Sequence, residues 1–316
     1  MIQIYGTKAT RAGYGDAVTW LGEQNPNVVA VSLDLTESTA IHKFKEKFPE
    51  RFFNLGIAEA NGITVAAGLS LTGKIPFVST FAVFAAGRGW DQVRVALCYS
   101  NTNVKIGGTH AGITVGPDGA THQALEDVAI LQVLPRMTVL VPCDYEETKK
   151  ATIAAANMFG PVYIRSGREP LPIITDANSP FIIGKANILA QGNDVAIIAC
   201  GVLVYEALVA AEQLAAKGIK ARVINMHTIK PIDEATIISA AKECGAIVTA
   251  EEHQIAGGLG SIVSQVIARN CPVPMEFIGV HDSFGQSGEG QQLLKKYHLK
   301  DIDIIEAAEK VIKRKK

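Results

Sequence analysis

VVAVSLDL (28–35) is apolar on both alternating faces, and a strand tolerates this only where both sides of its sheet are covered. A helical stretch precedes it: residues 7–24 carry apolar side chains at three- and four-residue steps, and Asn25-Pro26-Asn27 ends them. The alternation continues with a helix at 39–47, a strand at Phe52–Phe53, a helix from Glu59, a strand at 74–80 and a helix through 99. Strands beginning at 104, 137 and 161 follow, with a helix at 146–160 closed by Gly160. After the Pro-rich segment LPIITDANSPFII (171–183) the pattern restarts, with strands at 194–200, 220–226, 246–252 and 273–280. Helices at 204–218, 233–244 and 259–269 separate these. The chain reads as α/β, with two successive parallel-sheet domains at 1–175 and 184–316 and a linker at 176–183.

A length of 316 residues agrees with two cores rather than one. Hydrophobic residues make up 48% and charged residues only 19%, which favours a chain that buries a large interface in an obligate oligomer. A net charge of −1 steers it toward neither nucleic acid nor an anionic membrane. The basic tail KVIKRKK (310–316) reads as a solvated helix end, and the longest apolar run, VAIIACGVLV (195–204), is too short to span a bilayer. The opening MIQIYGTKATR lacks the organisation of a signal peptide. Five scattered cysteines without a C-x-x-C pair predict free thiols in a reducing compartment, so the expectation is a soluble, cytoplasmic protein.

Chemistry concentrates at a few positions. From Leu55 to Arg88 the only carboxylate is Glu59, flanked by Gly56, Ala58, Ala60 and Gly62. Such small neighbours predict close packing, and burial penalises the ionised form of a lone acid. A proton-sharing carboxyl there would suit a ligand nitrogen; an acid satisfied by backbone N–H groups at a helix start is the competing reading. Phe81 and Phe84, three residues apart, share one face and offer a stacking surface, although a core stripe has the same spacing. Asp34, Thr36 and Ser38 lie at the carboxyl end of the 28–35 strand, where open α/β sheets collect ligands. VKIGGTHAGIT (104–114) runs from a strand into a glycine-rich loop holding His110. VGPDGATHQALED (115–127) then puts Asp118 in a turn and His122 at a predicted helix start. Without an i, i+4 histidine pair or a cysteine partner these residues do not suggest a metal site. Arg165 ends the strand PVYIRSGREP, where a guanidinium suits a phosphate as well as it suits an ion pair. HQIAGGLGS (253–261) precedes a helix and could cradle an anion, with a structural turn the favoured reading.

GIAEAN around Glu59, with STFAVF (79–84) and WDQVR (90–94) behind it, resembles the pyrimidine-binding domain of thiamine-diphosphate enzymes of the transketolase family. VGPDGATHQALED is similar to a transketolase run, and HDSFGQSGEG (281–290) resembles the third domain of those enzymes. The resemblance implies that Glu59 contacts the cofactor's aminopyrimidine ring, with Phe84 stacked on it and Phe81 alongside. It implies that His110 and His122 line the substrate channel and handle hydroxyl protons, while Asp118 reads a substrate hydroxyl. Arg11, Ser38 and Arg165 would hold a sugar phosphate, with Asp34 on the substrate side. On this reading Glu59 protonates the pyrimidine nitrogen and so activates thiamine diphosphate to carry a two-carbon ketol unit from a ketose phosphate to an aldose phosphate.

The family's diphosphate-binding domain carries a Gly-Asp-Gly motif that holds Mg²⁺ and the diphosphate, and this chain contains no Gly-Asp-Gly. The resemblance therefore covers the second and third domains of a three-domain enzyme. It implies the C-terminal subunit of a split transketolase, with Mg²⁺ held mainly by an N-terminal partner subunit and two copies of each chain in the assembly. The rivals are the β subunit of a 2-oxoacid dehydrogenase, half of a deoxyxylulose-phosphate synthase, and a non-catalytic partner that keeps the fold alone.

Overall fold

The computed structural model describes residues 2–315; Met1 and Lys316, the outermost residues of the opening segment and of the basic tail, lie outside it. The first half contributes strands β1 (Thr7–Ala9), β2 (Val28–Ser32), β3 (Phe52–Asn54), β4 (Ile75–Phe81), β5 (Lys105–Thr109), β6 (Thr138–Leu140), β7 (Val162–Arg165) and β8 (Pro170–Pro172). The second contributes β9 (Asn187–Ala190), β10 (Val195–Ala199), β11 (Ala221–Asn225), β12 (Thr228–Lys230), β13 (Ile247–Gln254) and β14 (Met275–Val280).

A seven-stranded sheet runs β12-β6-β7-β5-β4-β2-β3, and a five-stranded sheet runs β14-β13-β10-β11-β9. In the first sheet every neighbouring pair is parallel except β12 with β6. In the second, β9 alone is antiparallel. The chain is thus an α/β protein with two main sheets, as the apolar strand runs predict. Helices Thr10–Gln24 and Tyr145–Ala156 lie together on one face of the first sheet, and helix Glu59–Leu71 packs against β4 on the other. One core cluster passes from Val31 and Ile106 through Val139 to Ile198 and Ile224, so the two sheets share apolar packing across their junction.

Several details differ from the sequence reading. The strand at 28–35 stops at Ser32, because Asp34 adopts φ 64° and turns the chain away from the sheet. The glycines of IGGT belong to β5 rather than to the loop after it: a Cβ on Gly107 would come within 2.2 Å of Tyr14 Cζ, and one on Gly108 within 2.3 Å of Tyr163 Cε2. These are close approaches of buried rings to the backbone, which is what a glycine inside a strand signals. Two helices, Gly290–Lys296 and Asp301–Ile312, complete the second half. The segment after Pro170 is not wholly irregular, since β8 pairs with β1 in a small antiparallel ribbon. The short strand β12 comes from the second half of the sequence yet caps the edge of the first sheet. Lys230 fastens it there, its Nζ donating to the carbonyls of Gln132 at 2.7 Å and Leu134 at 2.5 Å.

The glycine-rich turn at 253–261 is filled by a side chain of the protein itself. The Glu251 carboxylate accepts from Leu259 N at 2.7 Å and Gly260 N at 2.9 Å at the start of helix Leu259–Asn270, and Gly258 leaves the space for it. Among the described residues no helix is long and apolar enough to cross a membrane. None of the five cysteines forms a disulfide.

Candidate active site

The carboxyl edge of the first sheet gathers most of the residues singled out above, because each follows the end of a parallel strand. Glu59 is the first residue of helix Glu59–Leu71 beyond β3, and only 4% of it is exposed. Phe81 ends β4 and Phe84 stands one turn later; their rings stack with centroids 5.8 Å apart and an interplanar angle of 22°. His110 follows β5 in a left-handed conformation, φ 55°, which turns its ring onto Phe81 at 4.0 Å between centroids. His122 meets Phe84 edge-on at 5.4 Å. It lies in a turn rather than at a helix start, because the helix begins only at Asp127. Four rings from three loops thus form one aromatic wall.

Arg88, which the sequence reading passed over, joins this wall to Glu59. Its Nη1 lies 3.4 Å from Glu59 Oε1, and its guanidinium stacks 4.1 Å above the Phe84 ring. The side chain is 54% exposed, so it covers the niche from the solvent side. A planar group with N–H donors can therefore lie on Phe84 while contacting the Glu59 carboxyl, and those are the contacts an aminopyrimidine requires. The residues fit such a ring. Arg88 was legible as one of only two cations between Leu55 and Arg88, the other being Lys74.

The phosphate residues need correction. Arg165, predicted to hold a phosphate, is only 6% exposed and its guanidinium is committed internally. Nε donates to Asp127 Oδ2 at 2.8 Å and Nη2 to Asp127 Oδ1 at 3.1 Å, while Nη2 also reaches the carbonyls of Ala124 and Glu252 at 3.0 Å each. Burial raises the Asp127 carboxyl, but the Arg165 guanidinium and the Tyr163 hydroxyl, which donates at 2.6 Å, outweigh it and hold it low. Arg165 belongs to the junction between the sheets. The more exposed arginine of this stretch is Arg168, three residues on, with its side chain 31% exposed, Nη1 3.5 Å from Asp118 Oδ1 and donating to Val115 O at 3.0 Å. The sequence carried a signal: Arg165 lies within a wholly buried strand, whereas Arg168 follows Gly167 in the loop, and loops at the carboxyl edge carry the ligand contacts.

Arg11 stands near Arg168 because the first turn of helix Thr10–Gln24 is stitched to this loop. Gly167 N donates to Thr10 Oγ1 at 2.6 Å, and Arg11 N donates to Gly167 O at 3.3 Å. Arg11 Nη1 donates to the Ser38 carbonyl at 2.7 Å. Burial and then the Arg168 charge lower the Arg11 pKa, so two guanidiniums crowd one corner of the site. Asp34 is exposed and its carboxylate accepts from Asn54 Nδ2 at 3.3 Å. Among the described residues no three His, Cys, Asp or Glu side chains converge as a metal site.

His110 is 3% exposed, and its pKa is lowered to about 3 by burial first and then by Arg11, Arg168 and His122. The imidazole is neutral at neutral pH, so it can accept or donate a hydrogen bond without adding charge to the arginine corner. The depressed value stabilises the fold fully above the unfolded pKa of about 6.5, and this contribution is lost as pH falls toward about 3. Accordingly, wild type should lose stability relative to His110→Gln between pH 7.5 and 4.5, read from urea midpoints; a constant difference refutes the assignment.

With this geometry in place, the comparisons with known proteins have a clear meaning. Residues 6–173 match the transketolase pyrimidine-binding domain, and residues 184–304 match the transketolase C-terminal domain. The chain belongs to the transketolase family. It is 47% identical over 303 residues to a putative transketolase C-terminal section of Methanocaldococcus jannaschii, covering 95% of each chain. It is 42% identical to a 6-deoxy-6-sulfo-D-fructose transketolase subunit of Clostridium sp., covering 96% of this chain and 95% of that one. A solved structure described as a split gene transketolase in an inactive beta4 tetramer superposes with a TM-score of 0.92 at 48% identity, covering 98% of this chain and 99% of the other. The fold is also that of a transketolase from Campylobacter jejuni, with a TM-score of 0.81 at 21% identity; this chain spans 46% of that longer one. This transketolase-family chain thus corresponds to the C-terminal portion of the enzyme, and its family domains imply dependence on thiamine diphosphate.

Proposed function

We propose that the chain is the C-terminal subunit of a two-subunit transketolase, which transfers a two-carbon ketol unit from a ketose phosphate to an aldose phosphate. One observation carries the reading: a buried carboxyl, Glu59, shares a niche with the stacked rings of Phe81 and Phe84. Thiamine diphosphate, when bound, supplies the electron sink that makes the two-carbon unit transferable. Glu59 would hold a proton at the aminopyrimidine nitrogen, and Phe84 would keep the ring coplanar with its own face. For this Arg88 must swing off the Phe84 ring, and its exposed position leaves it free to do so. His110 and His122 project from the same wall and would exchange protons with substrate hydroxyls, with Asp118 accepting a hydroxyl hydrogen bond. Arg11 and Ser38 would keep their part in holding the phosphate, and Arg168 would take the place first given to Arg165.

The diphosphate and Mg²⁺ would be held mainly by an N-terminal partner subunit, in an assembly with two copies of each chain. Relatives are named as subunits of transketolases for 6-deoxy-6-sulfo-D-fructose and for apulose 4-phosphate, so the acceptor and donor sugars are read from the site only as a class. Five unpaired cysteines suit a cytoplasmic enzyme. The test is a two-carbon transfer assay on this chain with and without an N-terminal transketolase subunit, thiamine diphosphate and Mg²⁺ being present throughout. Several ketose phosphates and sulfonates are offered in turn. Activity only in the mixture supports the reading; pyruvate consumption in its place moves the chain to a decarboxylating relative. In the same assay Arg168→Gln should raise the KM for a phosphorylated ketose about 10- to 100-fold, the range for losing a hydrogen bond to a charged group, with little change in kcat. An unchanged KM removes Arg168 from the site.

A further inference from the structure

The segment carrying Asp118 and His122 is not supported by its own half of the chain alone. Residues Ile113–Asp118 form tight 3₁₀ turns around left-handed Gly116, at φ 80°, and Gly119 follows at φ 74°. Such turns make few internal hydrogen bonds of good geometry, so the segment takes its shape from what it leans on. It leans on the second half. Glu252 of β13 accepts from Thr114 N at 2.6 Å. Gln123, 3% exposed, donates from Nε2 to Ile113 O at 3.0 Å within the segment and to Gln286 O at 2.9 Å in the loop Ser283–Gly290. One amide thus ties the two loops together.

The contact is close along its length. A Cβ on Gly285 would come within 1.8 Å of Gln123 Oε1, one on Gly119 within 2.6 Å of Ser287 Oγ, and one on Gly116 within 3.1 Å of Gly288 O. The 283–290 loop is itself anchored in the second half: Gln254 Nε2 donates to Ser283 O at 2.8 Å and the Tyr297 hydroxyl to Phe284 O at 3.1 Å. The 283–290 loop meets the segment directly, so it acts on Asp118 and His122 through the segment it supports.

We propose that the loop Ser283–Gly290 of the second domain is a positioning element for the substrate, with Gln123 as the residue through which it sets the placement of Asp118 and His122. This gives the second domain a part in substrate binding through the segment it supports. The substrate-binding part of the inference rests on the reading of the site under Proposed function, whereas the mechanical support does not.

The test uses Gly285→Ala, Gln123→Ala, their combination, and Tyr297→Phe, a mild loosening of the anchor for use should the buried variants fold poorly. In the isolated chain, amide hydrogen exchange across 113–122 should speed up in every variant. In the reconstituted enzyme each of the two junction variants should raise the KM for the sugar phosphate about tenfold or more, with kcat changed less. Tyr297→Phe should move KM in the same direction by a smaller factor. The combined variant should do no worse than the more severe single one, since both remove the same contact. Unchanged exchange across 113–122 overturns the proposal, as does an effect of the combined variant equal to the product of the singles, or a fall in kcat with KM untouched. If the variants show faster exchange but wild type shows no ketol transfer with any partner, the functional reading fails and the positioning of substrate fails with it, while the mechanical coupling stands.

Discussion

Glu59→Gln should lower kcat of the reconstituted enzyme by about 10²- to 10⁴-fold, the range for removing a positioned acid–base group. The substitution keeps the volume and a hydrogen-bonding carbonyl but has no proton to share at neutral pH. Its cost to folding is small: Glu59 begins a helix, where a negative charge contributes about 0.3–1 kcal/mol, and its partner Arg88 is largely in solvent at 3.4 Å. Circular dichroism and thermal unfolding should therefore change little while turnover collapses. Thiamine diphosphate affinity should fall far less than kcat, since the Phe84 face remains. Turnover within a fewfold of wild type would end the assignment of Glu59 as the proton-handling group.

The second large effect concerns Arg165, and it is an effect on stability. Arg165→Met should destabilise the chain by about 3–5 kcal/mol, because it strands Asp127, which is wholly buried, without its counter-charge. The thermal midpoint would drop by several degrees or more, and much of the loss should return in Arg165→Met/Asp127→Leu, where neither charge remains. This separates the two arginines of the RSGREP stretch by experiment. Arg165→Met lowers the melting temperature and Arg168→Gln raises a KM; the opposite pattern would restore Arg165 to the phosphate role. Equal stability of Arg165→Met and wild type would contradict the buried pair.

Much of the candidate site is legible in the sequence because its residues follow strand ends by one to a few positions. Glu59 after β3, Phe81 at the end of β4 and His110 after β5 are brought together by the parallel sheet itself, so local order along the chain predicted proximity in space. The failure at Arg165 has the same origin. Three residues separate an arginine at the end of a buried strand from one in the loop beyond, and only the direction of the side chain decides which faces the site. Arg88 was missed because its role depends on a contact across 29 residues with Glu59. The antiparallel strand β12 was missed for a similar reason: at three residues it is too short to show a period, and its partner β6 lies some ninety positions earlier. His122 was expected at a helix start, yet Glu126 folds back to accept from Leu125 N at 2.8 Å and the helix waits until Asp127.

That short strand bears on how the chain can be dissected. The two family matches meet between residues 173 and 184, which invites a cut there to study either half alone. A fragment ending at such a cut would lack β12 and expose the backbone of β6, leaving the carbonyls that Lys230 engages unpaired. An uncovered strand edge is a template for association between molecules. The units recognised by sequence similarity therefore do not coincide with the sheets: three residues from the second match complete the edge of the sheet built by the first.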